Sequence, residues 1–134
     1  MEDKCMAEYA SSYAFGATQE RLERGIEKAG MTIFARIDHA AAASRAGFQM
    51  PPTMVLLYGN PRVGTPLMLA APQAALDLPL RVLVRNDSQG RTTIAFHPAT
   101  SSLRMAGVPE ALATRLEPAQ RILIEALQPD LSPR

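Results

Sequence analysis

A chain of 134 residues, 47% hydrophobic and 20% charged, is long enough for one domain with its own core. Its formal net charge of +1, with no basic run, gives no electrostatic case for a nucleic-acid or anionic-membrane partner. The single cysteine, Cys5, excludes an internal disulfide and a cysteine-built metal site.

Residues 1–12 read as a flexible leader, 13–128 as a single α+β domain and 129–134 as a proline-rich flexible tail. Met1-Glu2-Asp3-Lys4 lacks the basic and apolar regions of a secretory signal. No apolar run approaches the roughly 18 residues of a membrane span. A cytoplasmic protein is therefore expected.

Tyr13-Ala14-Phe15 reads as a short first strand (13–15). Thr18 is placed to cap a helix over 18–29, where Leu22, Ile26 and Ala29 recur at helical spacing and Gly30 ends the run. Gly25 inside that helix costs about 1 kcal/mol against alanine and reads either as a place where another backbone approaches or as a tolerated surface glycine. Residues 32–37 predict a strand with Ile33, Ala35 and Ile37 on one side. Asp38 then caps a helix over 39–46, closed by Gly47.

The continuous apolar run Met54–Tyr58 predicts a strand over 54–58, buried on both faces. Gly59 to Gly64 is a turn by composition, with Thr65 as cap and Pro66 as first residue of a helix over 65–71; a further turn runs through Ala75. Residues 80–85 alternate Leu80, Val82 and Val84 against Arg81, Leu83 and Arg85. Residues 91–97 alternate again after an Asp- and Gly-bearing loop, which predicts a hairpin. A short helix ended by Gly107 and an amphipathic helical region interrupted at Pro118 follow.

The chemistry available is narrow. His39 and His97 are the only histidines, and their spacing to Asp38 and Asp77 does not require a shared metal, so neither metal nor cofactor is expected. No Gly-x-Ser-x-Gly elbow is present, and Gly59–Thr65 lacks the lysine and spacing of a phosphate loop. His39 has the reference pKa suited to acid–base work, whereas Asp38 before an alanine run is first of all a helix cap.

Four motifs occur in one order: Phe34-Ala35-Arg36-Ile37-Asp38-His39, Leu57-Tyr58-Gly59-Asn60-Pro61, Gly64-Thr65-Pro66-Leu67-Met68, and Asp77-Leu78-Pro79-Leu80-Arg81-Val82-Leu83-Val84. Together they resemble the domain of unknown function 302 family, from about Tyr13 to Phe96 and more loosely to the C-terminus. The resemblance implies a small α+β domain, an antiparallel sheet packed against helices, often paired as dimers, with no established activity. It emphasises the corners at Asp38 and His39, at Gly59, Asn60 and Pro61, and at Asp77 and Pro79, together with Met68. An alanine run at 40–43 leaves little side-chain chemistry beside His39.

The expectation is thus a single α+β domain: a mostly antiparallel sheet with helices on one face and a helical C-terminus. Its function is read as binding, without catalysis, of a small molecule or of a protein, in a homodimer. Asp38, His39, Asn60 and Asp77 are expected to gather at one rim as the site. No catalytic residue is assigned. The alternatives are a small enzyme using His39 as acid or base with Asp38 or Asp77, Asn60 binding an oxyanion, and a metal or redox accessory protein.

Overall fold

Alternating side chains and glycine stops set the architecture. The computed structural model describes residues 6–129; positions 1–5, with Cys5, and 130–134 lie outside the described residues. In chain order the elements are β1 (Ala7–Ser11), α1 (Phe15–Lys28), β2 (Thr32–Asp38), α2 (His39–Arg45), β3 (Thr53–Gly59) and α3 (Pro61–Ala70). A 3₁₀ turn (Pro72–Asp77), β4 (Leu80–Asn86), β5 (Thr92–Phe96), α4 (Ala99–Met105), α5 (Glu110–Ala113), a second 3₁₀ turn (Thr114–Leu116) and α6 (Glu117–Ala126) complete it. The strands form one antiparallel sheet in the order β1-β5-β4-β3-β2.

Three helices stop where glycine was expected to stop them. Gly30, Gly47 and Gly107 have φ near +82°, +89° and +84°, a region open chiefly to glycine. After each, the chain folds back onto the helix: Met31 N–H donates to Ile26 O, Phe48 N–H to Ala43 O and Val108 N–H to Leu103 O. The hairpin loop is held by Asp87, whose Oδ1 accepts from Gln89 N–H and Arg91 N–H at 2.8 and 2.9 Å.

One side of the sheet is the core. Opposed residues of antiparallel strands share a face, so the register places Leu56, Tyr58, Val82, Val84 and Ile94 together, all fully buried. Onto them pack Leu22 and Ile26 of α1, Leu67 of α3, Leu103 of α4 and Leu123 of α6. A Cβ on Gly25 would lie 3.5 Å from Ala126 Cβ, so this glycine sits at the α1–α6 approach. Arg21 of α1 closes the end of α6, its Nε donating to Ala126 O at 2.8 Å and Nη2 to Gln128 O at 2.6 Å. Pro118 falls in the first turn of α6, so the interrupted C-terminal pattern resolves into abutting helical segments.

Several expectations are corrected. Part of the expected leader, Ala7–Ser11, is an edge strand, because Tyr9 stacks on Phe96 with ring centroids 6.1 Å apart and the backbone pairs with β5. The expected strand at 13–15 is instead a bend at Tyr13, the cap position Ala14 and the first residue of α1, Phe15. Thr18 is buried inside that helix rather than capping it; its Oγ1 donates to Tyr13 O and contacts Ser11 Oγ at 2.7 Å. The β3 run is buried on one face only: Val55 and Leu57 are half-exposed on the other. A bulge at Phe34 breaks the expected side of β2, since Ile33 opposes Tyr58 while Ala35 and Ile37 oppose Leu57 and Val55. The α3 helix starts a turn earlier than Thr65, because Asn60 Oδ1 accepts from Arg62 N–H at 3.0 Å and Pro61 takes the first position.

Candidate functional site

The corners at 59–61 and 77–79 meet. β3 delivers Gly59 and Asn60 to the same end of the sheet at which β4 begins, and a Cβ on Gly59 would lie 3.8 Å from Pro79 Cβ. The bulge turns Phe34 toward this corner, its Cε2 3.6 Å from that same point. The Leu78–Pro79 peptide bond is cis.

Between these residues, α3 and the start of α6 lies a cavity of about 600 Å³. Met31, Phe34, Val63, Met68, Leu78 and Pro79 wall one part, and Leu116, Pro118, Ala119 and Ile122 another. Small-molecule sites are typically about 300–1,000 Å³ and mostly apolar, with few polar groups. Here the polar lining side chains are Asn60 and Thr65, and Arg115 is the one charged lining residue among those described.

Tyr58 braces one wall residue of the cavity, Ala119. It is fully buried, and its hydroxyl donates to Ala119 O at 2.9 Å. Burial pushes its phenol well above the ordinary value, so it remains a neutral donor rather than a base.

Of the residues singled out from sequence, Asn60 lines this cavity. Its Oδ1 is committed to the helix cap, which leaves Nδ2 without a hydrogen bond to another described residue. Asp77 borders a smaller cavity of about 190 Å³ with Arg81, His97, Ser102 and Gln120; Leu78 and Leu80 border both cavities. Gln120 is already engaged, accepting from Ala99 N–H and donating to His97 O.

Asp38 and His39 do not join them, and the single rim expected for all four residues is corrected. Asp38 opposes Met54 at one end of β3, whereas Thr32 opposes Gly59 at the other. The five steps between them span roughly 17 Å at about 3.3 Å per residue. Asp38 is a helix cap, its Oδ1 accepting from Ala41 N–H at 2.9 Å. His39 is exposed on the first turn of α2 and hydrogen-bonds no described side chain. His39 lines neither of the two cavities, and no described carboxylate makes with it the contact that acid–base chemistry there requires. No group of three or more His, Cys, Asp or Glu with metal-binding geometry occurs among them either.

Residue-by-residue reading did not find Arg115, Met31 or the α6 wall, since nothing local marks them. Phe34 and Met68 did stand in the resemblance motifs, and that was the available signal.

Three curated relatives align over 95 residues at 37% identity, covering 71% of this chain. Two, from Brucella suis biovar 1 (strain 1330) and Brucella abortus biovar 1 (strain 9-941), are named "Fluoride-specific ion channel FluC 1". The third, from Brucella melitensis biotype 1, is named "Fluoride-specific ion channel FluC 2". The chain spans only about a third of their length, 37% of the first and 35% of the other two. No described helix of this chain is long and apolar enough to cross a membrane. A crystal structure of an uncharacterized conserved DUF302 protein from Bacillus stearothermophilus shares the fold, with a TM-score of 0.82 over 93% of this chain and 97% of that one, at 19% identity. The family profile described as "Domain of unknown function DUF302" matches residues 7–129, and the chain belongs to that family.

Proposed function

We propose that this domain binds a small apolar molecule, without catalysis, in the cavity between the Asn60–Pro61 corner, Pro79 and α6. The observation that carries this reading is the cavity itself: about 600 Å³, walled by Met31, Phe34, Met68, Leu78 and Ile122. A neutral solvatochromic dye such as Nile red tests it. Its emission should rise and shift to the blue with the wild-type protein. Gly64→Leu should abolish that response, because a Cβ at Gly64 faces Leu78 Cδ1 and Met68 Cε at 4.0 Å and a longer side chain fills the cavity. Equal dye response from a folded Gly64→Leu protein sinks the reading.

The second face of the sheet supports self-association as a homodimer. Ile37, 42% exposed, stands there beside half-exposed Val55, Leu57 and Leu83, flanked by Glu8 and Arg85. A two-fold contact would use this same patch on both copies. Sedimentation should report a dimer that Leu83→Glu converts to monomer; a wild-type monomer at high concentration removes this reading.

The curated relatives support a further reading, a domain that works beside a fluoride-conducting membrane protein. Vesicles carrying the Brucella suis relative, whole or without its matched third, test this through fluoride efflux. Identical efflux, with and without Nile red or another apolar ligand, counts against it.

A further inference from the structure

We infer that the molecule held in the cavity is an amphipathic carboxylate, its apolar tail between Met31, Met68 and Ile122 and its headgroup at Arg115. This rests on the binding role proposed for the cavity and adds the chemical class of its occupant. Three lining side chains can address a headgroup, and all three can donate. Arg115 makes no ion pair or hydrogen bond with another described side chain. Asn60 has its side-chain carbonyl oxygen tied to Arg62 N–H, which leaves its amide N–H groups without a described partner. Thr65 adds a hydroxyl without a described partner.

Among the described residues, no acidic side chain lines the cavity to neutralise Arg115 or to repel an anion. The α3 helix end offers no competing anion seat. Pro61 has no N–H, Asn60 Oδ1 takes that of Arg62, and Asn60 O takes those of Val63 and Gly64. The charge therefore falls to the guanidinium, whose planar fork fits a carboxylate. At the roughly 30 Å³ that a water occupies in liquid, the cavity has room for on the order of 20 non-hydrogen atoms, enough for a medium-length acyl chain.

Displacement of bound Nile red by decanoate and by decanol, both below their aggregation limits, separates headgroup from tail. Decanoate should displace the dye severalfold more strongly than decanol. Arg115→Gln, an exposed and structurally undemanding change, should weaken decanoate by about two- to fivefold, as loss of a solvent-screened charge contact does, and leave decanol unchanged. Raising the salt should weaken decanoate alone. Equal displacement by acid and alcohol, or equal weakening of both by Arg115→Gln, overturns the headgroup inference while leaving an apolar site. Failure of the dye and of both chains to bind removes the apolar site, and this inference with it.

Discussion

The two ends of β3 make an instructive pair. At one, Asp38 caps α2; at the other, Asn60 caps α3, and in each case a side-chain Oδ1 accepts a backbone N–H of the first turn. Locally the corners are equivalent. They differ in what comes back over them. No residue of α2 is buried, and its sequence offers alanines. From α3, Leu67 reaches the core while Val63 and Met68 pack against it, and Leu116 to Ile122 return from far along the chain to close the cavity. A cap is a property of four residues, but a cavity is a property of the tertiary fold.

The largest difference between the ends should appear in stability. Leu67→Ala empties a fully buried position and should cost about 2–5 kcal/mol in urea unfolding. His39→Ala, on an exposed turn, should stay within about 0.5 kcal/mol. A Leu67→Ala loss no larger than that of His39→Ala would mean that α3 is as loosely attached as α2.

Tyr58→Phe probes the brace on the cavity wall. It keeps the ring and removes the hydroxyl that donates to Ala119 O. Ala119 O keeps the partner its place inside α6 provides, so losing this second bond should cost about 0.5–1.5 kcal/mol. Denaturant midpoints check this. A neutral result would place water on Ala119 and make the cavity wetter than its walls suggest.

The fold was largely legible because its signals are local. Alternation gave the β4–β5 hairpin, glycines gave three helix ends, and Pro118 gave the break before α6. Errors arose where distant contacts decide. Ala7–Ser11 becomes a strand only because β5 offers an edge, and the face of β2 reverses at Phe34 because of a bulge that no periodicity marks. The site was half legible. Asn60 was found as a polar corner, but its grouping with Asp38 assumed that similar corners share a rim; antiparallel strands send successive corners to opposite ends. Arg115 carries no signal in its own neighbourhood, since only the return of the C-terminal helices brings it to the cavity.

The caps themselves sharpen the contrast. Asp38→Ala and Asn60→Ala should each cost about 1 kcal/mol, within the usual range of about 0.5–2 for a lost cap. Only Asn60→Ala should also alter dye displacement by decanoate, because only Asn60 lines the cavity. Thermal unfolding and displacement measured on both variants separate the two roles. Unchanged displacement by Asn60→Ala would reduce Asn60 to a cap like Asp38.

The smallest effect lies between the two ends, where Arg36 of β2 reaches Glu23 of α1. Arg36 Nε donates to Glu23 Oε2 at 2.9 Å, and Nη2 donates to the other carboxylate oxygen. These bonds hold the Glu23 carboxyl below its ordinary value of 4.5 against the opposing effect of burial, with help from Gln19. A depressed folded value means that the contribution is complete above the unfolded carboxylate range and is lost as falling pH protonates Glu23. Arg36 is about half exposed, with 49% of its side-chain surface accessible, so the pair should be worth no more than about 1 kcal/mol. Glu23→Gln should therefore be slightly less stable than wild type at neutral pH and equal to it in acid, once Glu23 itself is protonated. A gap that persisted in acid would assign the effect to the geometry of the side chains across α1 and β2, not to their charges, and the pair would then report packing in the same way as Leu67.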